Sequence, residues 1–374
     1  MIRTLHLHNF KCFADQSLEL GPLTLLSGLN GMGKSSVIQS LLLLRQSYQQ
    51  GLLDDTGLAL NGDLVHLGTA TDVFYDKAQD DILRFELELD NGISGRWQFN
   101  YDTLVDVMRL LGGHGANGIY GSSLFSDEFQ YLQAERIGPR TSFAISDYVV
   151  RQHRQLGPQG EFTAYFLSLF GNQDVENSSL HHPTAMSYSL INQVEAWMGE
   201  VSPGTRLHLT ANPDMDLVSL RFSFVSGTQA SNPFRATNVG FGLTYTLPIL
   251  VAALSARPGS LLLLENPEAH LHPKGQSLMG ELLGRTAQSG VQVMIETHSD
   301  HVLNGIRLAV HGGKLEPENV RMHFFDRQVR QDEPVHIVAS PLIDRDGRID
   351  FWPEGFFDEW DRNLEVLLEP RSEA

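Results

Sequence analysis

The chain has 374 residues, of which 41% are hydrophobic and 19% charged, an ordinary globular composition with enough apolar surface for a sizeable core. Asp and Glu number 45 against 27 Lys and Arg, for a formal net charge of −18. That balance argues against a general polyanion binder and leaves nucleic acid as a partner only through a local basic patch. One cysteine, Cys12, excludes an internal disulfide and fits a reducing cytoplasm. The opening ten residues lack a signal-peptide core, and the longest apolar stretch, Leu243 to Ala256, contains Thr244, Thr246 and Pro248 and is too short to span a bilayer. A cytoplasmic protein without a membrane partner is expected.

In chain order, Ile2 to Leu26 alternates apolar and polar residues and reads as two strands separated by the Gly21-Pro22 break. The second strand, Leu23-Thr24-Leu25-Leu26, runs into a glycine-rich turn and then a helix from Lys34 to about Gln49, with Val37, Ile38, Leu41, Leu42 and Leu44 at helical spacing. The turn, Gly28-Leu29-Asn30-Gly31-Met32-Gly33-Lys34-Ser35, matches G-x-x-x-x-G-K-[ST]. Such a loop must wrap backbone N–H groups around phosphates, so Gly28, Gly31 and Gly33 supply backbone freedom where side chains would obstruct. Lys34 brings charge to the β- and γ-phosphates, and the Ser35 hydroxyl can ligate Mg²⁺. The helix N-terminus, with Asn30 and Ser36 beside it, adds a positive dipole end. ATP with Mg²⁺ is the expected ligand.

From Ile82 to Phe99 the sequence reads as a hairpin, with Leu83, Phe85, Leu87 and Leu89 alternating before an Asn91-Gly92 turn. A second hairpin is expected around Asn212-Pro213, between Leu207-His208-Leu209 and the run Val218, Leu220, Phe222, Phe224. The stretch between them is rich in Gly, Ser, His and Gln, with short helical pieces such as Glu161 to Phe170. It reads as an inserted lobe. After about Asn238 the pattern becomes α/β: a helix over 243–256, an apolar strand over 261–264, a helix after Pro273 and a strand over 291–295. Strands that are apolar throughout belong to a sheet covered on both faces. The first of them ends in Glu265, the acid that a P-loop needs on a neighbouring strand to hold the metal's water shell. The second ends in Glu296-Thr297-His298-Ser299-Asp300.

A P-loop, an apolar strand leading into Glu265-Asn266-Pro267-Glu268-Ala269-His270-Leu271-His272-Pro273, and a later strand ending in Thr297-His298-Ser299 together resemble the ABC-type ATPases of the overcoming-lysogenization-defect (OLD) class. The opening Leu7-His8-Asn9-Phe10-Lys11-Cys12-Phe13 resembles the first strand of that class and of the chromosome-maintenance ATPases. The tail Phe351-Trp352-Pro353-Glu354-Gly355-Phe356-Phe357-Asp358 resembles a bacterial AAA subfamily with a short C-terminal domain of unknown function. The resemblance implies an α/β P-loop NTPase fold of the ABC-head type, with an antiparallel β subdomain and an inserted, mainly helical lobe. It divides the chain into an N-terminal part of the head at 1–99, the lobe at 100–205, a C-terminal part of the head at 206–330 and a tail domain at 331–374.

By the same resemblance Glu265 is the metal-associated acid and His298 the switch histidine facing the γ-phosphate. Asn266 stands where many relatives carry the glutamate that polarises the attacking water, so hydrolysis is slow or uses Glu268, which alternatively caps the following helix. His270 to Pro273 fall on the loop that crosses a dimer interface, a reading preferred to a metal site at His270 and His272. Asn238-Val239-Gly240-Phe241-Gly242-Leu243-Thr244 is the best candidate for the signature element, with Gly240 and Gly242 freeing N–H groups for the partner's nucleotide. Lys11 either reaches the phosphates or is a surface lysine. Aromatic residues from Phe351 to Trp360 are expected to pin the tail to the core.

The resemblance further implies an ATP-driven homodimer in bacterial defence, including phage defence, or genome maintenance, acting on a separately encoded effector or nuclease. Nuclease activity in this chain is not expected. A DNA-repair ATPase closing on DNA and a nucleotide-sensing scaffold with little hydrolysis are the alternatives.

Overall fold

In the computed structural model the described residues are 1–113, 115, 118–330, 333–357 and 359–369. The chain begins with β1 (Ile2–Phe10), β2 (Phe13–Glu19) and β3 (Leu23–Gly28), followed by α1 (Lys34–Gln49), β4 (Gly57–Ala59) and the single turn α2 (Ala70–Val73). Then come β5 (Ile82–Leu89), β6 (Ser94–Asn100), β7 (Val107–Gly112), β8 (Phe129–Leu132) and β9 (Phe143–Ala144). Helices α3 (Thr163–Phe170) and α4 (Leu190–Val201) precede β10 (Thr205–Asn212), β11 (Leu217–Ser226), β12 (Gln229–Ala230) and β13 (Phe234–Arg235). The last third runs α5 (Phe241–Ser255), β14 (Leu261–Glu265), α6 (Pro273–Gln288), β15 (Gln292–Glu296), α7 (Asp300–His311), β16 (Val320–Arg330), β17 (Glu333–Ala339) and α8 (Glu359–Leu368).

Three sheets result. The central one has the order β17-β16-β3-β15-β14-β8 and is parallel except for the β16–β17 hairpin. Leu261 to Leu264 and Val293 to Ile295 are all buried because helices cover both faces, which is why these strands are apolar without alternation. An antiparallel sheet β2-β1-β5-β6-β7-β4 packs on the other side of α1. Helix α1 is thus sandwiched, and even Ser40, Arg45 and Gln46 on its remaining face are buried. The third sheet gathers β9 to β13 around β11 and packs with α3, α4 and α5. Among the described residues no helix is long and apolar enough to cross a membrane.

The expected α/β architecture, with a P-loop strand in a parallel sheet and an antiparallel β subdomain, is present, as are both expected hairpins and the 34–49 helix. Three boundaries differ. Residues 2–26 form three strands, not two, because the chain also reverses at Lys11-Cys12, between the register partners Phe10 and Phe13. Lys11 takes a left-handed φ of 51° there, so neither Gly nor Pro marks the turn. Residues 100–205 are only partly an inserted lobe: β7 completes the antiparallel sheet, and β8 lies parallel to β14 in the central sheet. Nor are residues 331–374 wholly a separate tail, since β17 forms the edge of the central sheet. Phe356 does pin the segment after it, fully buried against Phe324 with ring centroids 5.3 Å apart, while Phe351 and Trp352 stay half exposed. Asp358 and the side chain of Trp360 fall outside the described residues.

Candidate functional site

The glycine-rich loop leaves β3 at the C-terminal edge of the central sheet. Gly28, Gly31 and Gly33 all have positive φ, at 132°, 75° and 110°. At Gly28 the requirement is also spatial, because a Cβ would lie 2.1 Å from the carbonyl oxygen of Phe325 on β16. Lys34 is buried and its ammonium donates to the carbonyls of Gly28 (2.9 Å) and Leu29 (2.7 Å), folded back over the loop. Burial lowers its pKa, and nearby Glu296 partly restores it. Asn30 is exposed on the loop, whereas Ser36 is buried beside the Cys12 thiol, whose pKa is pushed up to about 11 by burial.

Strand order places two carboxylates beside this loop. On the parallel strands β14 and β15, Glu265 and Glu296 are register partners, and Glu296 is in turn paired with Leu26 on β3. Glu265 accepts from the Tyr131 hydroxyl (3.0 Å) and the Ala134 N–H (3.1 Å). Burial raises its pKa, and these two donors pull it back. Glu296 accepts from the Ser35 hydroxyl at 2.8 Å. Its own pKa is pushed up to about 7, first by burial and then by the charge of Glu265, against the lowering effects of Ser35 and Lys34. A cleft of about 470 Å³ opens beside Ser35 and Glu265, lined also by Gln39, His66 and Gln133.

The turn after β14 is tied down from both sides. Asn266 has a left-handed φ of 44°, a conformation that asparagine tolerates better than most residues, and its N–H donates to the Glu296 carbonyl at 2.8 Å. Arg136, 2% exposed, donates to the carbonyls of Gln133 (3.1 Å), Glu265 (2.7 Å) and Asn266 (2.6 Å) and lies 5.5 Å from the Tyr245 ring. Its pKa is pushed down to about 10 by burial. Glu268 uses both oxygens on the switch segment, accepting from the Thr297 hydroxyl (2.7 Å) and the His298 N–H (2.9 Å). It does not cap α6, whose N-cap is His272, with its side chain accepting from the Lys274 N–H. His298 is exposed as a residue, yet partial desolvation of its imidazole and the charge of Lys34 lower its pKa.

The fold therefore brings together Gly28 to Ser36, Glu265, Glu268 and His298. Lys11 lies at the margin: its ammonium donates to Gln39, one turn beyond Ser35 on α1, at 2.6 Å. Gly240 and Gly242 sit elsewhere, at the start of α5 against the His270 loop, where a Cβ on Gly242 would meet the His270 carbonyl at 2.7 Å. His270, with φ 62°, packs its ring 4.5 Å from Tyr245 and 5.5 Å from Phe241. With His272 serving as a cap, neither histidine joins a metal cluster among the described residues. Sequence reasoning gave no role to Glu296, Tyr131 or Arg136. Glu296 carries the same signal as Glu265, an acid closing an apolar strand, but His298 two residues later drew the assignment.

Residues 1–137 match the family model described as an AAA ATPase domain, and residues 209–304 match one whose description pairs an AAA domain with the AbiEii toxin of a Type IV TA system. Residues 315–367 match a family described as a protein of unknown function, DUF3696. Among curated proteins there is no match. The fold is similar to a crystal structure of the SmcHead bound to the C-winged helix domain of ScpA, at 14% identity over 91% of this chain and 97% of that one, with a TM-score of 0.53. It is also similar to the Smc head domain with an extended coiled coil bound to the C-terminal domain of ScpA derived from Pyrococcus furiosus, at 12% identity over 98% and 99% and a TM-score of 0.50. Two stretches of the chain are thus similar to AAA ATPase models, and its fold is similar to that of an Smc head.

Proposed function

We propose that this chain is an ATP-binding and ATP-hydrolysing head that closes as a homodimer on ATP and drives a partner protein in bacterial defence or genome maintenance. The observation that carries the reading is the convergence of the Gly28–Ser35 loop, Glu265 and His298 at one edge of the central sheet. The residues present fit a nucleotide and its metal. Lys34 already rests on carbonyls of a loop held open by three positive-φ glycines, and buried Glu296 has one oxygen, Oε2, without a partner.

In this reading the loop N–H groups and Lys34 hold the phosphates, and Ser35 with Glu265 would hold Mg²⁺, which would supply positive charge to offset that of the phosphates. Glu268 anchors the backbone of the switch segment through its hydrogen bond to the His298 main-chain N–H, and the His298 imidazole faces the γ-phosphate. The start of α5, with Gly240 as its N-cap and Phe241 55% exposed, faces outward to meet the nucleotide of the other subunit. The γ-phosphate then touches both chains, so closure depends on it. The two SMC heads described above are bound to a domain of ScpA, which supports a protein partner as the recipient of the motion. Lys34→Ala should abolish ATP binding measured by calorimetry on the purified chain. Binding at wild-type affinity would overturn the assignment.

A second reading, a nucleotide-sensing scaffold with little turnover, is favoured by two observations: Asn266 lacks a carboxylate, and both Glu268 oxygens are already engaged. Turnover by wild type that is lost in both Glu265→Gln and Glu268→Gln identifies an enzyme. Nucleotide-dependent dimerisation with no turnover in any of the three proteins identifies a sensor.

A further inference from the structure

Glu296 is out of place as a structural residue. It is 7% exposed, it ends a strand in the middle of the sheet, and its register partner on β14 is another carboxylate. Like charges directly opposite each other destabilise a sheet, and a buried carboxylate needs its lone pairs satisfied. Only one of its oxygens is: Oε1 takes the Ser35 hydroxyl at 2.8 Å, while Oε2 is buried with no partner. Local rules are broken in this way where function requires it.

We infer that Glu296 is a metal-positioning residue of the nucleotide site, holding the Ser35 hydroxyl by its hydrogen so that the oxygen lone pair faces Mg²⁺, and sharing with Glu265 the negative charge that the ion neutralises. The inference rests on the ATP-binding reading above. Three features carry it. A serine hydroxyl can donate its proton to a carboxylate and still offer a lone pair to a cation. Of the two acids, Glu296 is the one on the strand next to β3 and the one that touches Ser35, whereas both oxygens of Glu265 are engaged by Tyr131 and Ala134. Finally, among the described residues no three His, Cys, Asp or Glu side chains form a cage of their own. That suits Mg²⁺, which is commonly held by one or two carboxylates together with substrate phosphates. The main-chain carbonyl of Glu296 also accepts from Asn266, and His298 follows two residues on. One residue therefore links the P-loop serine to the turn after Glu265 and to the switch segment.

The test is ATP affinity of the full chain, by titration calorimetry in EDTA and in MgCl₂, for wild type, Glu296→Ala, Glu296→Asp and the double variant Glu296→Ala with Ser35→Ala. Wild type should bind ATP more tightly with Mg²⁺. Glu296→Ala should bind ATP in EDTA at least as tightly as wild type, since a negative charge beside the phosphates is gone, yet lose the Mg²⁺ gain by tenfold or more. Glu296→Asp should recover part of that gain, and adding Ser35→Ala to Glu296→Ala should cost little more. A full Mg²⁺ gain in Glu296→Ala, or equal losses with and without the metal, overturns the metal role and leaves the ATP-binding reading standing. Wild type that binds no ATP in either buffer overturns both.

Discussion

Replacing Glu296 by Gln in the nucleotide-free chain gives a prediction whose sign and size follow from one buried group. Its carboxyl is lifted from 4.5 to about 7, so the folded chain holds that proton more tightly than the unfolded chain does. Stability contributed by the protonated group is therefore complete below about pH 4.5 and is lost as the pH rises through about 7. Two and a half pH units at about 1.4 kcal/mol each set a ceiling of about 3 kcal/mol on the cost at pH 8, and less than about 1 kcal/mol at pH 5. Glutamine cannot ionise, so Glu296→Gln should be more stable than wild type at pH 8 and close to it at pH 5. With an unfolding entropy of about 2 cal/mol/K per residue, about 3 kcal/mol amounts to a Tm difference of about 4 °C in a chain of 374 residues. The amide retains an imperfectly paired polar atom, which trims the gain. Calorimetric Tm values for both proteins in EDTA at pH 5 and pH 8 give the answer. The same difference at the two pH values, or a variant less stable than wild type at pH 8, refutes the reasoning.

Two further substitutions probe the supports of the site. Arg136→Met strands the part-buried carbonyls of Gln133, Glu265 and Asn266, and should cost about 2–4 kcal/mol in urea unfolding. Arg136→Lys should recover only part of that, because a single ammonium cannot reproduce the planar fork; equal stability of Arg136→Lys and wild type would contradict this. Phe356→Ala empties a fully buried ring site against Phe324 and should cost about 3–5 kcal/mol, while Phe351→Ala, at a half-exposed position, should cost under about 1 kcal/mol. Comparable losses at the two positions would mean that the tail is held otherwise.

The P-loop, the apolar strands and both hairpins were legible because each is a local pattern. Glycines at fixed spacing before Lys34, alternation from Leu83 to Leu89 and the unbroken Leu261 to Leu264 need no knowledge of neighbours. Local pattern failed where a residue's role is set across the sheet. The Lys11 turn carries no glycine, and its left-handed backbone is held by a main-chain bond from the Lys11 N–H to Val73. Strand β8, four residues long within a polar stretch, becomes part of the central sheet only through its pairing with β14. Arg136 looks like any loop arginine until three carbonyls turn out to surround it.

The amino-acid sequence by itself determined that a glycine-rich G-x-x-x-x-G-K-S loop follows β3 and that an acid closes each of two buried strands. Only the tertiary structure decided which acid reaches Ser35. The strand ending in Glu296 lies between β3 and β14, so the nearer carboxylate comes from the later segment of the chain. Strand order in a parallel sheet is set by how the crossover helices pack and not by order along the chain, and no local pattern carries that information.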